Sequence, residues 1–107
     1  MTRLRIGEFD FDWDPTKDAT NQSKHGIGFE QAATIWTCPE LILDIADTRF
    51  AYSEERWIAL GPLPEDAHCI IAVAYCERHD VVRIISARSA EKSEKRAYFQ
   101  RMQGENP

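Results

Sequence analysis

The run Cys69-Ile70-Ile71-Ala72-Val73-Ala74-Tyr75-Cys76, eight apolar residues without interruption, sets the strongest limit on the fold. A membrane-spanning helix needs roughly 18 such residues, so this run is too short to be one. Cys69 to Tyr75 reads instead as a strand that is apolar on both faces, and such a strand belongs in the middle of a sheet. The flanking sequence supplies its neighbours. Leu41 to Ile45 and Arg56 to Leu60 read as two preceding strands, and Val81 to Ala87 as a following one. Gly61 to Asp66 carries turn chemistry, and Glu77 to Asp80 is a short polar turn. Connections this short imply a four-stranded antiparallel meander.

The segments before the meander are of a different kind. Phe9-Asp10-Phe11-Asp12-Trp13 alternates apolar and acidic residues, as a half-buried strand does. Asp14-Pro15 then reads as a helix N-cap and first turn, and Gly26 as the stop, which predicts a helix over Pro15 to His25. Of Thr16 to His25 only Ala19 is apolar, so this helix needs some other reason to stay docked. Phe29, Ala32, Ala33 and Trp36 form one helical stripe, ended by Pro39. After the meander, Ser89 is placed to cap a last helix over Ala90 to Met102, with Gln103 to Pro107 as a frayed tail. The expected architecture is one α+β domain over residues 1–107: an N-terminal strand, two helices, the meander and a C-terminal helix.

Composition narrows the function classes. The apolar fraction of 43% excludes a disordered chain. Three cysteines without a Cys-x-x-Cys pair suit a reducing cytoplasm, and small apolar core positions are their simplest use. No apolar run follows the basic residues of Met1 to Ile6, so no secretory signal is expected there. Net charge is −5, but its distribution is uneven. Residues 1–55 hold five Lys/Arg and eleven Asp/Glu, whereas residues 78–101 hold seven Lys/Arg and three Asp/Glu. Binding to phosphates follows the local field, so the acidic sum does not exclude RNA.

Four groups of residues can carry chemistry. Lys17, Asn21, Lys24 and His25 share one face of the first helix. A fixed Lys charge beside a His that titrates near neutrality suits phosphate chemistry, although a solvated helix end reads the same way. Arg83 interrupts the apolar run Val81-Val82-Arg83-Ile84-Ile85, where a charge needs a partner or a ligand. Arg88 follows beside a helix N-terminus, which attracts anions, and Arg binds phosphate in a bidentate fork. The plain alternative is an Arg83–carboxylate pair within the sheet and an exposed Arg88. By strict alternation the two arginines lie on opposite faces and converge only if the strand twists or bulges near Ser86. Glu55, in Glu54-Glu55-Arg56, is a general-base candidate or part of an edge-strand charge cluster. Asp10, Asp12 and Asp14 mimic a metal cluster, yet in a strand they are its wet face. No metal or cofactor is expected.

Taken in order, Phe11-Asp12-Trp13-Asp14-Pro15, Asn21-Gln22-Ser23-Lys24-His25-Gly26, Phe29-Glu30-Gln31-Ala32, Asp47 to Arg56 with its Glu54-Glu55-Arg56, Gly61 and Arg83-Ile84-Ile85-Ser86-Ala87-Arg88 resemble the BrnT family of type II toxin–antitoxin toxins. The likeness covers about residues 9–100. It implies a RelE-like fold and a metal-independent ribonuclease of the bacterial cytoplasm that uses the RNA's own 2′-OH as nucleophile. It also implies a BrnA-type ribbon-helix-helix antitoxin, with operator DNA reached only through that antitoxin. Carried over by position, the site is Lys24, His25, Glu55, Arg83 and Arg88. The stretch Arg49-Phe50-Ala51-Tyr52 lacks the histidine that members of the family carry before Glu-Glu-Arg. The second functional reading is a non-catalytic module that docks an antitoxin or helps repress an operon.

Overall fold

A computed structural model describes residues 1–49, 51 and 53–104; Phe50, Tyr52 and the end of the expected tail, residues 105–107, lie outside the described residues. Cys69 to Tyr75 does sit mid-sheet. It lies within a thirteen-residue strand, β5 (Asp66–Arg78), hydrogen-bonded on both sides. Its flanking strands are β4 (Trp57–Leu63) and β6 (Val81–Ser89), both antiparallel to it, and β3 (Leu43–Ala46) pairs antiparallel with β4. Ile71, Val73 and Tyr75 face one side of the sheet, and Ile70, Ala72 and Cys76 the other; all six are buried.

The N-terminal segment departs from expectation. Thr2–Ile6 forms an additional strand, β1, antiparallel to β2 (Phe9–Trp13). Gly7 opens the two-residue turn between them at φ 58°, the left-handed region that such hairpins require. β2 then runs parallel to β6, so the sheet is mixed and six-stranded, in the order β1-β2-β6-β5-β4-β3. β1 escapes the sequence reading because only Leu4 and Ile6 are even half-buried. An edge strand needs no strong apolar alternation.

Helix α1 spans Pro15–His25, with Asp14 accepting the Thr16 N–H at 2.8 Å and Gly26 left-handed at φ 71°. Helix α2 is shorter than its stripe, Phe29–Ala33, and the chain tightens into a 3-10 turn over Thr34–Thr37. The Thr34 hydroxyl donates back to the Gln31 carbonyl, which competes with continued α-helix. The stripe is nonetheless inward: Phe29, Ala32, Ala33 and Trp36 are all buried. Trp36 packs edge-on against Phe11 at 5.2 Å and Tyr75 at 5.3 Å, joining β2 to β5 beneath the helices.

Three boundaries also shift. Leu41 belongs to a second 3-10 turn opened by Pro39, not to β3. β4 runs through Gly61 and Pro62, and the turn itself is only Pro64-Glu65. Pro62 is tolerated because β3 ends its pairing at Leu60, so no neighbour asks for the missing N–H. Ser89 stays in β6 and does not cap a helix. The last helix, α3, spans Lys92–Gly104, and the Glu94 carboxylate accepts the Glu91 N–H at 2.8 Å. Tyr98 anchors α3 over Leu60, Ile70 and Ala72, whereas Ala97 of the expected stripe is exposed. Among the described cysteines only Cys76 is buried; Cys38 is exposed and Cys69 half-buried.

Candidate RNA site on the helix α3 face of the sheet

The polar helix α1 docks through one residue. Asn21 is 6% exposed, and its amide spans the edge of β6 just where β2 has ended. Its Nδ2 donates to the Ala87 carbonyl at 2.8 Å and to the Ile27 carbonyl at 2.9 Å, and its Oδ1 accepts the Ala87 N–H at 3.0 Å. Asn21 thus replaces a strand partner. It is turned inward to the sheet edge, yet it still lines the depression beside Lys17, Lys24 and His25.

β6 carries a bulge. Ser86 pairs with Ala74 and Ile84 with Tyr75, so Ile85 is an extra residue. Before the bulge Val82 and Ile84 face the α1–α2 core; after it Ala87 does. The opposite, α3-side face therefore receives Arg83 opposite Cys76, Ser86 opposite Ala74, and Arg88 opposite Ala72. The separation that strict alternation imposes on the two arginines is cancelled at the position where a bulge was required.

Neither arginine is unpaired. Arg83 lies beside its register partner Asp12, with Nε 3.3 Å from Oδ1. Arg88 is engaged by Glu94 through a fork of 2.6 and 3.0 Å, and both side chains are mostly buried. Arg88 is thus not the exposed residue of the plain alternative. The Arg88 guanidinium holds the Glu94 carboxyl below the ordinary carboxylate value, and Glu94 in turn raises Arg88. A depressed carboxylate stabilises the fold above its unfolded value of 4.5 and loses that contribution as pH falls through its lower folded value. Wild-type protein is therefore expected to lose more stability than a Glu94→Gln variant as pH falls from neutral through the acid range. Urea titrations across that range read the difference.

The remaining candidates separate into two places. Lys24 and His25, both exposed, line a depression with Thr16, Lys17, Thr20, Asn21, Ile85 and Ser86. Ser86 also lines a second depression with Arg49, Ile58, Ala72, Ala74 and Arg88. Ser86 is therefore a wall shared by the Lys24–His25 pair and Arg88. Glu55 stands elsewhere, exposed at the start of β4 in clefts with Asp44, Glu54, Trp57, Tyr75 and Glu77. Its neighbour Glu54 is the bonded one. Glu54 takes Arg78 in a fork of 2.8 and 2.8 Å, which lowers its carboxyl, and it accepts from the Cys76 thiol at 3.4 Å. Burial pushes the Tyr75 phenol far up, and its hydroxyl donates to Asp44 at 2.7 Å.

Two features were not read from the sequence. Asp47 is buried and holds Arg49 by bonds of 2.9 and 3.0 Å, although the spacing Asp47-Thr48-Arg49 after a strand carries an Asx-turn signal. Glu94, the partner of Arg88, sits six residues on and has no local signature. The three acidic residues that mimic a metal cluster have separate partners: Asp10 pairs with Arg5 at 3.0 Å, Asp12 with Arg83, and Asp14 caps α1. Among the described residues no group of three His, Cys, Asp or Glu is arranged to hold a metal ion, and no helix is long and apolar enough to cross a membrane.

This six-stranded α+β structure is similar to the 1.1 Å crystal structure of the Brucella abortus ribonuclease toxin BrnT. The two share 26% identity and a TM-score of 0.53, over 77% of this chain and 96% of that one. Residues 13–94 match the family described as ribonuclease toxin, BrnT, of type II toxin–antitoxin system, and the chain belongs to that family. No curated protein matches it significantly. Membership implies an RNA target and a protein antitoxin as partner.

Proposed function

We propose that this chain is an endoribonuclease that cleaves RNA by metal-independent proton transfer, on a RelE-like single domain. The observation that carries the reading is Ser86, the common wall between the Lys24–His25 depression and the Arg88 depression. A phosphodiester seated there meets a titratable imidazole and a primary ammonium from one side and, from the other, the Arg88 guanidinium, whose fork Glu94 holds until RNA displaces it. The ribose 2′-oxygen attacks phosphorus, its proton passes to a base, the P–O5′ bond breaks, and O5′ takes up a proton. The products are a 2′,3′-cyclic phosphate and a 5′-hydroxyl. His25 serves the proton transfers, and Lys24 and Arg88 stabilise the added charge on phosphorus. Arg83, on the same face, holds backbone phosphate if RNA displaces Asp12. Glu55 stands apart from this set, so the proton transfers are carried without it.

The reading includes a cytoplasmic setting and a BrnA-type ribbon-helix-helix antitoxin, with operator DNA reached only through that partner. Purified protein is expected to cut RNA in EDTA as fast as in magnesium. Cleavage abolished by EDTA and restored by magnesium would overturn the metal-independent chemistry.

A further inference from the structure

The face that carries Arg88 holds a second arginine, Arg49, which lies inside the Asp47 to Arg56 segment of the family resemblance but outside the site residues carried over from it. Arg49 follows β3, and its guanidinium is fastened at its base. Asp47, with a side chain only 2% exposed, takes Nε and Nη2, and also accepts the Arg49 N–H at 3.3 Å. The Asp47 N–H is itself fixed to the Arg56 carbonyl at 2.8 Å, so the anchor belongs to the sheet. The Arg49 side chain remains 60% exposed and lines the depression whose other wall is Arg88. The floor between them is Ala72, Ala74 and Ser86, side chains small enough for a ligand to approach the sheet closely.

Two guanidinium groups around one small hollow repel each other unless an anion joins them. Arg49 opposes the charge of Arg88 weakly and favours the Glu94 carboxylate, so Glu94 stands near both guanidinium groups. Asp47 holds the Arg49 fork and Glu94 the Arg88 fork. We propose that Arg49 and Arg88 form a clamp on one phosphodiester of the RNA backbone, with Asp47 as the positioning residue for Arg49. This rests on the ribonuclease reading above and adds a substrate-binding residue to it. Arg49 contributes affinity and register; it takes no part in moving the proton.

The test is binding of a labelled 2′-O-methyl RNA oligonucleotide of mixed sequence, which cannot be cleaved through its 2′-oxygen, measured by fluorescence anisotropy over a salt series. Arg49→Ala is expected to weaken binding about tenfold, the effect of one charge-assisted contact. It should also flatten the salt dependence by up to about 0.7 in log–log slope, one phosphate on a single strand. Arg88→Ala should do the same. Arg49→Lys keeps a cation beside Asp47, so the fold is retained while only part of the affinity returns. Wild-type binding by Arg49→Ala, with binding weakened in Arg88→Ala, overturns the clamp and leaves the ribonuclease reading standing. Wild-type binding by both variants overturns the clamp and the Ser86-centred site together. Full affinity in Arg49→Lys overturns the forked contact.

Discussion

His25→Ala is expected to slow RNA cleavage by about 10²-fold or more, the usual contribution of a positioned acid or base. Arg88→Ala is expected to slow it by about 10²–10³-fold, as removal of a charge-stabilising donor does elsewhere. The two variants differ in their effect on the fold. His25 is exposed at the end of α1, so its removal should leave thermal unfolding unchanged. Arg88→Ala leaves the mostly buried Glu94 carboxylate without its fork and should lower stability as well. Single-turnover cleavage rates, read beside melting curves on the same preparations, separate the two effects. Full activity in folded His25→Ala protein would remove that residue from the proton transfers.

Asn21→Ala is expected to be the most damaging polar substitution in the chain. It strips partners from the Ala87 N–H, the Ala87 carbonyl and the Ile27 carbonyl, all in buried surroundings. At about 1–3 kcal/mol for each such group, less where water enters, the loss should be about 3–5 kcal/mol. That is a large share of the 5–15 kcal/mol typical of a small domain. Lys17→Ala, exposed one turn earlier on the same helix, should change stability by about 0.5 kcal/mol or less. Urea midpoints measure both. A neutral Asn21→Ala would show that α1 is held by something other than its amide.

Helix α1 was legible to the residue because its limits are local: Asp14 and Pro15 start it, and Gly26 stops it. The central place of β5 was legible because a strand apolar on both faces has nowhere else to go. β1 was not, since a half-exposed edge strand is defined by its partner β2. The inward turn of Asn21 was half legible. A helix with one apolar residue in ten needed some reason to stay docked, but the spacing put Asn21 on the face of Lys17 and Lys24, and only the sheet edge at Ala87 shows that its amide is the anchor. The same holds for the arginines. Charge inside a strand announces that Arg83 needs a partner, and the identity of that partner, Asp12, comes from a parallel pairing 71 residues away in sequence. The bulge at Ile85 was legible only as a requirement of the chemistry.

The chemical ends of the RNA fragments test the central claim most directly. Purified protein should cut RNA in EDTA and leave 5′-hydroxyl ends with 2′,3′-cyclic phosphates or their 3′-phosphate hydrolysis products, and should leave 2′-O-methyl RNA intact. Fragments with 5′-phosphate and 3′-hydroxyl ends, or cutting of the 2′-O-methyl RNA, would contradict attack by the 2′-oxygen at the Ser86 junction.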